Sequence, residues 1–497
     1  MSAPSGTDVV RARIVDAQRT LDIEATLRRR GVVQAVGDGV AISAGLDEVG
    51  YEELVVFDSG AFGMATELGP GQTGIVLLSS DARIVAGEGV RGLGRLPTIP
   101  SGSALLGRIV DPLGLPLDGG PPIERAPVRE LFARPPELVE RCSVERPLHT
   151  GITVIDTAIP IGRGQRELVV GDRDVGKTSL VIDVIVAQRH TGVRCVYVAI
   201  GQPISRILAV RETLARAACL ENTVIVAAES SMPPGVQYLA PYAGATVAES
   251  LIESGGDALV AYDDLTKHAD AYRQLALLLG RPTGREAFPG DIFHIHAELL
   301  ERAASLADGR SVTALPIVET TESDISGYIP TNLISITDGQ IYLDTARFER
   351  NERPAVDVGR SVSRIGAAAQ PPAVRAASRN LRLLLARFES LEALTRVGLE
   401  VEPATRKILE RGALLRELLR QPRLSPRSAR REVFELVAVD KGWLDGVPPR
   451  EAPTVLARAI ERGADVISAL DPATPPDEGW RQRAAAVVRE ARAVGTR

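Results

Sequence analysis

Residues 171 to 178 read Gly171-Asp172-Arg173-Asp174-Val175-Gly176-Lys177-Thr178, a G-x-x-x-x-G-K-T spacing. Glycines at these positions let successive backbone N–H groups turn toward one anion, and the N-terminus of a following helix adds its dipole. The lysine then reaches the terminal phosphates, and the hydroxyl after it ligates Mg²⁺. Such a loop also needs an acid at the end of a neighbouring strand to hold the metal's water shell. Asp263 ends the apolar run Ala258 to Tyr262 and is followed by Asp264. Alone, this carboxylate pair reads as a solvated turn; beside the phosphate loop it reads as the metal-side acid. Other reactive side chains form no constellation. His294 and His296 stand two apart in a strand-like or helix-starting segment and are expected to be structural. Cys142, Cys195 and Cys219 are too few and too dispersed for a disulfide framework or a CxxC metal site. No G-x-S-x-G elbow occurs.

The loop works only between a strand and a helix. Leu168 to Val170 is the apolar run before it, and Ser179 to Gln188 is helix-compatible. From about residue 151 the runs Glu167 to Val170, Cys195 to Ile200, Thr223 to Ala228 and Ala258 to Tyr262 alternate with helical segments. That pattern predicts a buried parallel sheet with crossover helices, an α/β P-loop (RecA-like) domain. Upstream, from Gly31 to about Leu96, short β-branched runs separated by glycine turns predict an N-terminal β-barrel. A Pro/Gly-rich passage from Pro97 to Pro122 marks the entry to the central domain. Beyond Pro372, Leu381, Leu384, Leu385, Phe388 and Leu391 recur at helical spacing, which predicts a C-terminal α-helical domain. Val10, Ile14, Ala17 and Leu21 predict a short amphipathic helix within residues 7 to 26. The expected divisions are 1–27, 28–96, 97–372 and 373–497.

At 497 residues the chain is roughly three times a typical domain of about 150. Apolar residues make up 44% and charged residues 25%, which excludes a largely disordered or collagen-like chain. Net charge is −6, from 58 Lys+Arg against 64 Asp+Glu, so no nucleic-acid partner is expected. No run of about 18 apolar residues occurs, and no apolar signal segment opens the chain. A cytoplasmic chain, touching a membrane only through partners, is expected.

Taken together, the phosphate loop, Asp263, Gln237-Tyr238-Leu239-Ala240-Pro241-Tyr242, Gly327-Tyr328-Ile329-Pro330-Thr331-Asn332 and Pro354-Ala355-Val356-Asp357-Val358-Gly359-Arg360-Ser361-Val362-Ser363 resemble the F-type ATP synthase alpha subunit, along essentially the whole chain. The resemblance implies ATP or ADP with Mg²⁺ bound by Gly171 to Thr178, with Thr178 and Asp263 on the metal. It also implies alternation with beta subunits around a gamma-type rotor shaft, and peripheral-stalk subunits meeting the N-terminal helix. The assembly would synthesise or hydrolyse ATP while translocating protons or sodium ions, peripherally at the cytoplasmic face of the bacterial cell membrane.

Alpha is distinguished from beta at one position. The catalytic beta subunit carries the glutamate of a Gly-Glu-Arg motif after the strand following the phosphate loop, and here that place reads Gly201-Gln202-Pro203. An amide lacks a carboxylate's charge and basicity, so the chain's own site is expected to bind nucleotide with little turnover. By its place in Ser361-Val362-Ser363-Arg364-Ile365-Gly366, Arg364 corresponds to the alpha-subunit arginine that reaches a neighbouring beta site. Arg353 and Pro354 match the pair lining the adenine pocket, and Gln421 matches one of two glutamines near the base; Arg423 replaces the other. Asp174-Val175 stands where alpha subunits usually carry Gln-Thr, and Asp174 is expected to pair with Arg173 or to weaken triphosphate binding. These departures, with Pro203 and Arg360, are similar to the alternate, sodium-linked branch of the family. Two other classes share the nucleotide core. A transcription-terminator RNA translocase needs exposed aromatics and basic residues in its barrel, where this chain has only Tyr51, Phe57 and Phe62 and an excess of acids. A homohexameric flagellar or type III export ATPase needs its own catalytic carboxylate, which Gln202 opposes.

Overall fold

The computed structural model describes residues 30–79, 84–123, 126–395 and 402–493, and the helix expected within 7–26 lies outside them. The chain divides into two compact units, Met1–Arg95 and Leu96–Arg497.

In the first unit, β1 (Gly31–Gly37), β2 (Val40–Ala44), β3 (Leu54–Phe57), β4 (Phe62–Gly69), β5 (Gln72–Leu77) and β6 (Gly89–Gly92) close an antiparallel barrel in the order β1-β2-β5-β4-β3-β6. Asp38 and Gly39, both at positive φ, make the tight turn between β1 and β2, as the twist of a two-residue hairpin requires. Val33, Ala41, Val55, Phe57, Ala65, Ile75 and Val90 fill the barrel. Phe57 is therefore a core residue and offers no stacking surface.

The second unit is built on an eight-stranded sheet of β7 (Ile109–Val110), β8 (Glu167–Asp172), β9 (Arg194–Gln202), β10 (Thr223–Glu229), β11 (Asp257–Asp263), β12 (Ser311–Thr320), β13 (Gly339–Leu343) and β14 (Val362–Ser363). Their order is β14-β13-β8-β12-β11-β9-β10-β7. Every pair is parallel except β13 with β14. Leu168 to Val170, Val224 to Ala228 and Ala258 to Ala261 are fully buried. Helices on both faces explain why these strands read as unbroken apolar runs rather than alternating ones.

The helices nearest the sheet are α1 (Lys177–Ala187), α2 (Ile204–Arg216), α3 (Pro234–Leu251), α4 (Leu265–Leu278) and α5 (Ile292–Glu301). Gly244 lets α3 lie close on β9, since a Cβ there would come within 2.2 Å of Val198 Cγ2. His296 on α5 is buried and its Nε2 lies 3.2 Å from His268 Nδ1, whereas His294 is exposed. The C-terminal part is helical, with α6 (Leu381–Thr395), α7 (Pro403–Leu419), α8 (Ala429–Asp440), α9 (Ala452–Arg462) and α10 (Glu478–Ala493). Leu381, Leu385 and Phe388 form its expected inward stripe, and Phe434 packs edge-on against Trp480. The apolar core continues without a break from the sheet into these helices. Among the described residues, no helix is long and apolar enough to cross a membrane.

Candidate functional site

Strand β8 runs directly into the glycine loop, and α1 begins with Lys177. Gly176 caps α1 at φ 100° and Asp174 sits at φ 62°. Left-handed residues of this kind turn successive N–H groups inward, and only glycine or a short polar side chain adopts them cheaply. The Asp172 side chain braces the loop from behind. It accepts hydrogen bonds from the Thr320, Ser323 and Thr345 hydroxyls and from the Ser323 N–H. These hold its carboxyl below the ordinary carboxylate range despite burial.

Lys177 is buried, and its ammonium donates to the Gly171 and Asp172 carbonyls at 2.9 and 2.5 Å. Glu319, from the end of β12, lies 3.7 Å away. Burial pushes the lysine down, against the opposing pull of Glu319, Asp264, Asp263 and Asp172.

Asp263 ends β11 and is 3% exposed. Its Oδ2 accepts from the Thr178 hydroxyl at 2.6 Å and the Tyr197 hydroxyl at 2.7 Å, and Gln202 Nε2 lies 3.3 Å from Oδ1. Burial pushes Asp263 above its ordinary value, while Thr178, Tyr197 and Lys177 oppose the rise. Asp264 accepts from the Lys267 N–H at 2.8 Å and so caps α4. Burial and the Asp263 charge raise its carboxyl to about 7. A hydroxyl and a buried carboxylate in contact, with no nitrogen or sulfur donor, form a set suited to a hard cation such as Mg²⁺.

These groups open onto a cavity of about 310 Å³ lined by Lys177, Thr178, Tyr197, Gln202, Arg206 and Asp263 among others. A second cavity of about 250 Å³ shares Asp174, Gly176, Ser179 and Arg423 with it and is otherwise more apolar, with Ile152, Phe348, Arg353 and Pro354 in its wall. Arg353 lies over the Phe348 ring at 4.6 Å. Gln421 reaches this wall with its amide already engaged. Nε2 donates to the Gly151 and Ser425 carbonyls at 2.6 and 2.8 Å, and Oε1 accepts from the Thr153 N–H at 3.2 Å.

Of the expected residues, Asp174 to Thr178, Gln202, Asp263, Arg353, Pro354 and Gln421 line two adjoining pockets; Gly171, Asp172 and Arg173 line neither, and Arg364 stands apart. Arg364 follows β14, is exposed, lines neither cavity, and has no side-chain hydrogen bond or ion pair among the described residues. Its charge is felt by the buried Glu167 carboxyl, which burial holds well above the ordinary range. Asp174 has a closer partner than the expected Arg173. Arg206 Nη2 lies 3.1 Å from its carboxylate, against 3.9 Å for Arg173 Nε.

Sequence reasoning missed Tyr197, Arg206, Glu319 and Asp183. Tyr197 stood in a run read as core, and Arg206 was one arginine among many. Asp183, in the second cavity, is raised by burial and opposed by the Leu424 N–H and by Arg423. Its place one helical turn after Ser179, on the face of α1 toward the loop, was its only signal.

A parallel sheet feeding a glycine loop and a helix, with lysine, hydroxyl and strand-end aspartate converging there, defines a P-loop nucleotide-binding fold. Comparison with known sequences gives the branch. The sequence model of the ATP synthase alpha/beta family, nucleotide-binding domain, matches residues 151–363, and that of the ATP synthase alpha/beta chain, C terminal domain, matches residues 370–466. ATP synthase subunit alpha of Limosilactobacillus fermentum is 46% identical over 89% of this chain and 86% of its own length. ATP synthase subunit alpha 2 of Syntrophotalea carbinolica is 48% identical over 85% of this chain and 82% of its own. The chain belongs to the F-type ATP synthase alpha-subunit family.

Proposed function

We propose that this chain is the regulatory, non-catalytic subunit of a rotary ATP synthase or ATPase, binding ATP or ADP with Mg²⁺ and acting on a neighbour's nucleotide. The backbone of Gly171 to Gly176 cradles the phosphates, Lys177 carries their charge, and Thr178 with Asp263 holds Mg²⁺, partly through water. That cation neutralises phosphate charge when bound. Arg353 and Pro354 border the base, and Gln421 secures the wall behind it.

Gln202 is the observation that carries the non-catalytic reading. Hydrolysis needs a group that orients and deprotonates the attacking water, and a neutral amide is a poor base. The nearby carboxylates are otherwise engaged, Asp263 with two hydroxyls and Glu319 facing Lys177. Arg364 has the properties of a donor to another subunit: it is exposed, unpaired among the described residues, and lines neither of the two cavities. In the complex it would neutralise charge developing on the γ-phosphate in a beta-subunit site, an effect worth about 10³ to 10⁵ in rate.

The remaining partners on this reading are a gamma-type shaft and a peripheral stalk, the latter meeting residues 1–27. Residues 28–96 form the barrel domain, 97–372 the nucleotide domain and 373–497 the helical domain. The complex sits peripherally at the cytoplasmic face of the membrane, and its membrane ring selects proton or sodium.

Reconstitution with beta and shaft subunits tests the proposal. The isolated chain binds Mg-ATP with negligible turnover. Arg364→Ala lowers turnover of the complex by about 10³ or more and leaves nucleotide binding to the isolated chain unchanged. Vigorous hydrolysis by the isolated chain, or full activity of the Arg364→Ala complex, overturns it.

A further inference from the structure

Away from the phosphate loop, three titratable side chains from separate elements of the second unit converge. His149 follows the short strand Pro147–Leu148, Asp156 lies in the buried helix Thr153–Ala158, and Glu432 is in the first turn of α8. One ligand atom from each lies within 4.8 Å of the others. His149 Nδ1 is 3.1 Å from Asp156 Oδ2 and 4.0 Å from Glu432 Oε2.

Hydrogen-bond partners decide what these atoms can do. His149 Nε2 lies 2.7 Å from the Arg427 carbonyl oxygen. A carbonyl only accepts, so Nε2 carries a proton, and when the ring is neutral its Nδ1 lone pair faces Asp156. Asp156 Oδ1 is occupied by the Thr150 N–H and hydroxyl, each at 2.8 Å. Asp156 Oδ2 and both oxygens of Glu432, a residue 0% exposed, have no hydrogen-bond donor among the described residues. The Arg427 guanidinium is committed to Thr153, Glu435 and the Leu418 and Arg420 carbonyls. With the ring neutral and both carboxyls ionised, electron-pair donors face one another with no N–H or O–H between them. Such a cluster, with Glu432 wholly buried, takes a positive charge at its centre, a shared proton or a cation.

We propose that His149, Asp156 and Glu432 hold a first-row divalent cation of the zinc class, which staples the nucleotide-binding fold to α8. Bonds of about 2.0–2.2 Å in a tetrahedral site put donor atoms about 3.3–3.6 Å apart, within the span these three atoms cover. One imidazole with two carboxylates suits such an ion better than it suits Mg²⁺. Anchoring of the distal ring nitrogen on a backbone carbonyl is the arrangement that orients metal-bound histidine. His149 is 31% exposed, so the ion has an entry side and room for a water as fourth ligand. Metal ligands bind deprotonated, so any proton the cluster holds is released on binding.

The test uses the full chain, stripped with a chelator, free of nucleotide and titrated with Co²⁺, whose visible absorption reports tetrahedral coordination. One equivalent develops the bands, Zn²⁺ bleaches them, protons are released, and the thermal midpoint rises. His149→Gln and Glu432→Gln each weaken Co²⁺ binding by more than about 100-fold, beyond what outer partners command. Both still bind a fluorescent ATP analogue, which shows that they fold. Absence of a stoichiometric ion in the wild type overturns the proposal and leaves the cluster sharing a proton instead. Bands unchanged in both variants overturn it equally.

Discussion

Replacing Tyr197 with phenylalanine removes one oxygen and keeps the ring, so it isolates the hydrogen bond that steadies Asp263. The Tyr197 hydroxyl donates to Asp263 Oδ2 at 2.7 Å, beside Thr178 at 2.6 Å. Asp263 is buried at the strand end, so bulk water does not replace the lost donor. Hydrogen bonds to charged groups contribute about 1.5–3 kcal/mol, and this one favours the carboxylate over the carboxylic acid. Its loss raises the proton affinity of Asp263 by about 10- to 150-fold.

The sign follows from linkage. Burial already lifts the folded-state value of Asp263 above its ordinary 3.8. Its charged form therefore costs stability that is retained below 3.8 and lost as pH rises through the folded value. Tyr197→Phe deepens that cost. Urea unfolding should show a loss of about 1.5–3 kcal/mol at pH 8 that shrinks toward zero near pH 4. On the proposed role of Asp263 as the metal-side acid, Mg-ATP binding should weaken at neutral pH, and its decline on acidification should begin at a higher pH than in the wild type. A stability loss of equal size at pH 4 and pH 8, together with an unchanged pH profile of binding, would refute the reasoning.

Two further substitutions probe the same site. Asp174→Gln removes a charge that borders both cavities and is 72% exposed; retention of bound nucleotide through gel filtration should rise roughly 2- to 5-fold, the scale of a screened surface charge, and equal retention contradicts it. Asp264→Asn keeps the oxygen that caps α4 but not the charge. With the carboxyl raised to about 7, its contribution is present below 3.8 and lost as pH rises through about 7, so the asparagine variant gains up to about 4 kcal/mol relative to wild type at pH 8. Urea midpoints that differ equally at pH 4 and pH 8 exclude that account.

The strands that announced themselves were those whose surroundings demand unbroken branched residues. Val224 to Ala228 and Ala258 to Ala261 are covered on both faces, and burial alone writes such runs. Strand β4 was silent because Gly63 must be small, since a Cβ there would come within 2.5 Å of Ile75 Cγ2. Strand β12 lies between β8 and β11, yet Pro316 breaks the expected pattern of a central strand. In both cases a local residue signal is overruled by packing that only the assembled sheet defines.

The same distinction separates the two halves of the site. Lys177 and Thr178 act within a few residues of the glycines that position them, so spacing alone announces their chemistry. Tyr197, Arg206 and Glu319 come from β9, α2 and β12, and nothing adjacent in sequence marks them. They meet because the order β8-β12-β11-β9 sets the carboxyl ends of neighbouring parallel strands around one crevice, the place where open α/β sheets bind ligands. A change that preserves every residue of the glycine loop but shifts β9 against β11 would therefore leave the motif intact and remove the donor to Asp263. The motif supplies the means of gripping phosphate. The strand order decides which groups surround Thr178 and Asp263.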